Sequence, residues 1–167
     1  EALARFDFVP ARSLVEHRFR VCNSHQQSFP AGAPVVLHLR GTDFAQWKPG
    51  AVLGEEFYRE GLAWLEVHGY SDSPVRICTE DPNHPALPGL RGLLRRSGRL
   101  IDTACDHPFE CDYASLIQAE RVVSSPSTFA ITASLLGTGS AIHSREWIDS
   151  RIEAGDMFWQ KIRENSL

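Results

Sequence analysis

Residues 34–43 read Pro34-Val35-Val36-Leu37-His38-Leu39-Arg40-Gly41-Thr42-Asp43. The aliphatic and β-branched run up to Leu39, set behind the turn signal Pro30-Ala31-Gly32, predicts a strand buried on both faces. Such strands belong to parallel sheets covered by helices. Outward from this strand, a polar loop carries Trp47, Pro49 and Gly50. Residues 54–68 then place Phe57, Leu62, Trp64 and Leu65 at helical spacing, with Gly69 as the C-terminal stop. Residues 75–79 form a second strand, 88–99 a helix, 112–120 a helix with Leu116 and Ile117 on one face, and 121–125 a third strand. Residues 129–137 make a buried helix entered through Ser127 and Thr128, either of which can cap its first turn, and ended by Gly137-Thr138-Gly139. A last helix spans 148–162, with Trp147, Phe158 and Trp159 as core or packing surface. Alternating strands and helices define an α/β class: a mostly parallel, Rossmann-like sheet with helices on both faces and its ligands beyond the C-terminal strand ends.

The chain of 167 residues carries 17 Lys+Arg against 21 Asp+Glu, a formal charge of −4 that disfavours a nucleic-acid partner. With 43% apolar and 23% charged residues the composition is that of an ordinary folded domain. No apolar stretch approaches the ~20 residues of a membrane span. Cys22, Cys78, Cys105 and Cys111 lack Cys-x-x-Cys spacing and read as reduced thiols. Cys105, His107 and Cys111 cluster without zinc-ligand spacing, so no metal is expected. Arg91, Arg95, Arg96 and Arg99 lie at helical spacing and read as a solvated face. There is no internal repeat, low-complexity segment or dividing linker. Residues 1–33 fit the alternation poorly, either as an N-terminal extension or as the tail of a preceding domain, and 34–167 form one α/β domain.

The strand ends carry the candidate chemistry. The first delivers His38, Arg40 and Asp43 to the ligand edge, with His38 and Arg40 on one face of the strand and Asp43 past the turn. A planar guanidinium suits a diphosphate because it donates two parallel hydrogen bonds; the plainer alternative is an Arg40–Asp43 pair that pins a loop. The second strand ends in Glu80 and Asp81, able to accept from a base or ribose or simply to shape an Asp-Pro turn. The third leads through Ser127, Thr128 and Phe129 into a helix N-terminus, which binds phosphate or is merely capped. Together the three strand ends describe a nucleotide-diphosphate pocket.

The order His38-x-Arg40-x-x-Asp43, then an acidic pair after a strand, then Asp112-x-x-x-Leu116-Ile117-x-Ala119 before Ser125-x-Ser127-Thr128-Phe129, resembles the donor-binding half of the GDP-fucose-dependent fucosyltransferases. These are the α-1,2, α-1,6 and protein O-fucosyltransferases, with GT-B-like folds. The resemblance covers Val35 to about Leu136. It implies that Arg40 holds the β-phosphate and the leaving group, with His38 and Asp43 shaping that loop. Glu80 or Asp81 would read guanine or its ribose. Ser127, Thr128 and Phe129 would line the diphosphate and base side, and Asp112 would orient the helix before them. Gly41 stands where the family often has a second Arg, Thr79-Glu80-Asp81 where Ser-Asp-Asp or Ser-Asp-Glu is usual, and Ala130-Ile131 where an aromatic pair is frequent.

The implied activity is inverting, metal-independent transfer from a GDP-sugar, GDP-fucose foremost, to a glycan or protein hydroxyl, with no cofactor besides the donor. Such an enzyme also needs an acceptor-binding half, so the chain is expected to be a fragment, a pared-down relative, or completed by a partner chain. The implied location is the cytoplasm for a bacterial-type chain, or the Golgi or ER lumen for a eukaryotic one. The rivals are a non-catalytic nucleotide-binding module with the same fold and a purely structural interaction domain.

Overall fold

The computed structural model describes residues 33–47, 51–105, 108–137 and 139–155. The extension 1–32, Cys22, His107, Thr138, Phe158, Trp159 and the second half of the 148–162 helix lie outside the described residues. Five strands form one parallel sheet: β1 (Val35–Leu39), β2 (Val75–Thr79), β3 (Leu100–Ala104), β4 (Arg121–Ser124) and β5 (Ser140–His143), in the order β3-β2-β1-β4-β5. Among the described residues, six α-helices connect and flank them: α1 (Thr42–Trp47), α2 (Glu55–Leu65), α3 (Leu87–Arg96), α4 (Phe109–Gln118), α5 (Thr128–Leu136) and α6 (Arg145–Glu153). The expected α/β, parallel, Rossmann-like architecture is the one found.

Strand pleating splits β1 between two cores. Val35, Leu37 and Leu39 pack with Val75, Ile77 and Val123 beneath Tyr58, Leu62 and Leu65 of α2 and Leu87, Leu90 and Leu94 of α3. Val36 points the other way, with Cys78, Ala104 and Val122, against Leu116 and Ile117 of α4 and Ala130 and Ala133 of α5. All five β1 residues are buried, as a strand sandwiched between two helical layers requires. The first two crossovers, α2 and α3, therefore cover one face and the later two, α4 and α5, the other. Strand order reverses between β1 and β4, which makes their carboxyl ends the switch point at which a doubly wound sheet opens a crevice. A small third cluster, Ala51, Ile131 and Trp147 with Phe44, ties α1, α5 and α6 together.

Several expectations are corrected. The loop after β1 contains the short helix α1. Two edge strands, β3 and β5, were not foreseen, because each is half-exposed and polar, with Asp102 and Thr103 in one and Ser140 and His143 in the other. The helix expected over 88–99 stops at Arg96, so the four arginines do not form one solvated face. Arg99 is buried and donates to Glu66 Oε1 at 2.8 Å, to the Tyr70 carbonyl at 2.9 Å and to the Ser73 carbonyl at 3.1 Å. Arg91 turns inward to Thr103 Oγ1 at 3.1 Å. Gly69, at φ +91°, ends the wide turn Glu66–Tyr70 that follows α2, in a left-handed conformation that glycine adopts without a Cβ penalty. α4 begins three residues earlier than expected, behind Pro108, and α6 begins at Arg145, capped by the Ser144 hydroxyl. Ser127 occupies the N-cap of α5, yet its side chain makes no capping bond.

Candidate functional site

The residues that follow β1, β2 and β3 meet the first turns of α4 and α5 around a cavity of ≈ 230 Å³ lined by His38, Arg40, Thr79, Glu80, Cys105, Phe109, Asp112 and Phe129. β1 reaches this edge as a stitched strand end. The His38 carbonyl accepts from the Ser125 amide at 3.0 Å and hydroxyl at 2.8 Å, and the Ser125 hydroxyl in turn accepts the Arg40 amide at 2.7 Å. Tyr58, buried beneath, adds its hydroxyl to the same carbonyl at 3.3 Å. The backbone carrying His38 and Arg40 is thus fixed by the end of the neighbouring strand and by the helix packed on one face, which is the preorganisation that a binding site requires.

Arg40 carries the cavity's positive charge. Its Nε and Nη2 engage both carboxylate oxygens of Asp43, at 3.0 and 2.7 Å, and Nε lies 3.6 Å from Glu80 Oε1. Burial opposes the guanidinium charge, but the Asp43 hydrogen bonds and the Glu80 carboxylate outweigh it and raise the Arg40 pKa. The same bonds lower the Asp43 pKa. Glu80 Oε1 accepts the Gly41 amide at 2.8 Å and so holds the entrance to α1 against the end of β2.

Two further side chains have displaced protonation. Burial, reinforced by the nearby Arg40 charge, brings the His38 pKa down to about 3, so this imidazole is neutral at ordinary pH. Asp112 projects from the first turn of α4, and burial brings its pKa up to about 7 against the pull of a hydrogen bond from the Cys78 thiol. Its Oδ1 is buried with no hydrogen-bond partner among the described residues. Next to these groups, Phe129 packs against His38 at 5.9 Å and Tyr113 at 4.9 Å between ring centroids, while Phe109 stands at the rim with 68% of its surface exposed.

Of the residues singled out in the sequence, His38, Arg40, Glu80 and Phe129 line one cavity. Asp43 does not line it and acts through Arg40. Asp81 is turned into its own loop, where Oδ1 accepts the Asn83 amide at 2.9 Å. Ser127 is buried at the start of α5, and Thr128 is exposed; neither is among the lining residues. Cys105, Phe109 and Thr79 join the wall without having been singled out, and Asp112 faces the cavity rather than only orienting its helix. Cys105 and Phe109 carry no local motif; only the unforeseen strand β3 and the true start of α4 bring them there.

Chemically the cavity offers a fixed cation, a neutral imidazole, two carboxyls and two aromatic rings. That combination suits a polar ligand with both anionic and planar parts. No group of three His, Cys, Asp or Glu side chains among the described residues is placed to hold a metal ion. Nor is any helix among them long and apolar enough to cross a membrane. The fold and site thus define a doubly wound α/β domain with a cavity beside its strand-order switch. The chain matches no protein-family model, no curated protein and no solved structure.

Proposed function

We propose that this domain binds a nucleoside-diphosphate sugar, GDP-fucose in the first instance, as the donor half of a fucosyltransferase-like, metal-independent glycosyltransferase. The supporting observation is that Arg40, Glu80 and Phe129, from three motifs far apart in sequence, line one cavity beside the switch point. The cavity is smaller than the roughly 300–1,000 Å³ of drug-sized ligand sites, so it takes part of the ligand while the rest lies along the open strand edge. In the reaction the acceptor hydroxyl attacks the anomeric carbon as the bond between that carbon and the diphosphate oxygen breaks; the nucleoside diphosphate leaves, and the hydroxyl proton passes to a base of the acceptor-binding half. Arg40 stabilises the charge developing on that oxygen.

Calorimetry against GDP, UDP, ADP and CMP tests the proposal. GDP is expected to bind tightest, in the micromolar to millimolar range. Equal or absent binding across the four overturns it. The bidentate clamp of Asp43 on Arg40 favours a second reading, a binding module without transfer. Turnover of GDP-fucose with glycan and peptide acceptors separates the two.

A further inference from the structure

A chain of hydrogen bonds fixes which nitrogen of His38 carries the proton. The Ser124 hydroxyl lies 2.7 Å from the Ser125 carbonyl, to which it donates its only hydrogen. The same oxygen lies 3.3 Å from His38 Nδ1 and has only lone pairs left for it, so the bond runs from Nδ1–H to Ser124 Oγ. A neutral imidazole protonated at Nδ1 is bare at Nε2. His38 is 4% exposed and its side chain lines the cavity, while its hydrogen bond to Ser124 is made at Nδ1.

We propose that His38 Nε2 is a fixed hydrogen-bond acceptor in the cavity and receives a hydroxyl of the ligand, from the pentose or the hexose of a nucleotide sugar. The naming of the ligand rests on the function proposed above; the tautomer does not. Arg40, Glu80 and Asp112 line the same cavity as the ring, and His143 is the β5 residue paired with Ser124 in the sheet. Burial foremost, then the Arg40 charge, opposes a second proton on His38. A bare nitrogen lone pair repels phosphate oxygens, so the diphosphate belongs at Arg40 and a hydroxyl at His38. The same surroundings make this imidazole a poor general base. It positions the ligand and does not deprotonate it.

The test is long-range proton–nitrogen NMR of the ¹⁵N-histidine-labelled chain between pH 5.5 and 8. The free protein should show a single neutral Nδ1–H form for His38 throughout, and Ser124→Ala should release it to a tautomer mixture. An Nε2–H form in the wild type, or an unchanged tautomer in Ser124→Ala, overturns the clamp. The ligand half uses GDP, GDP-fucose, inorganic pyrophosphate and the free sugars ribose and fucose at millimolar concentration. Hydroxyl-bearing probes should move the Nε2 resonance and pyrophosphate should not. A response to GDP assigns the ribose, and one to GDP-fucose alone assigns the hexose. If the free sugars move Nε2 but neither nucleotide binds, the nucleotide-sugar function fails and the acceptor role stands. A resonance unmoved by every hydroxyl-bearing probe, or moved equally by pyrophosphate, overturns the acceptor role.

Discussion

Gly41 lies directly against Asp81: a Cβ at position 41 would fall 2.3 Å from Asp81 Oδ2 and 2.7 Å from its Cβ. The ends of β1 and β2 are therefore closed together at a point that admits no side chain. Gly41→Ala must push Asp81 out of the loop where it caps the Asn83 amide. The expected loss is about 1–3 kcal/mol of stability, the range for overpacking, read from urea midpoints. A stability equal to wild type would show that Asp81 rearranges freely.

Arg40→Ala separates binding from folding. The Arg40–Asp43 pair is well exposed on the Asp43 side, and exposed pairs contribute ~0–1 kcal/mol, so the thermal midpoint should barely move. GDP affinity should fall by ~1.5–3 kcal/mol, as for a lost hydrogen bond to a charged group. Arg40→Lys should restore only part of it, because an ammonium lacks the planar fork. An Ala variant that unfolds while retaining GDP affinity assigns Arg40 to the loop alone.

Stability should depend on pH through three buried groups with opposite signs. His38 and His143 have folded pKa values brought down by burial to about 3 and about 4. Their contribution is present above the unfolded value of about 6.5 and is lost as pH falls toward the folded ones. Asp112 behaves oppositely: its folded value of about 7 lies above the unfolded ~3.9, so its contribution is present at low pH and is lost as pH rises through 7. Urea midpoints at pH 4.5, 6.5 and 8 check both limbs. Relative to wild type, Asp112→Asn should gain stability as pH rises from 4.5 to 8, and His143→Gln should flatten the acid side. A stability difference between Asp112→Asn and wild type that does not change with pH refutes the assignment.

Phe109 is the exposed ring at the cavity rim, and nothing in the core depends on it. Phe109→Ala should leave stability within about 0.5 kcal/mol of wild type, as for most surface changes. If the ring stacks on the nucleobase, GDP affinity drops by ~1–3 kcal/mol, whereas pyrophosphate affinity is unchanged. Calorimetry with both ligands measures the difference, and equal losses for the two would place the base elsewhere.

Much of the fold was legible in local sequence because β1, β2 and β4 are central strands. Burial on both faces favours aliphatic and β-branched residues, and these are visible at Val35–Leu39 and Val75–Thr79, interrupted by His38 in one and by Arg76 in the other. The strand ends carrying His38, Arg40, Glu80 and Phe129 followed, since a parallel sheet sends every carboxyl end to one edge. Tertiary structure alone decided the rest. β3 and β5 are edge strands whose polar residues are matched by distant partners. Asp102, for instance, accepts from the buried Arg76 at 2.9 Å, a contact across two strands that no local pattern encodes. Arg99 left its apparent helical face because Glu66 and two carbonyls lie where its guanidinium can reach them. Asp112, Cys105 and Phe109 joined the cavity because α4 crosses back over the sheet between β3 and β4. Local periodicity fixes which face of an element is apolar; which side chains then meet above the strand ends depends on where the chain returns, and that is set by packing the two helical layers against a sheet ordered β3-β2-β1-β4-β5.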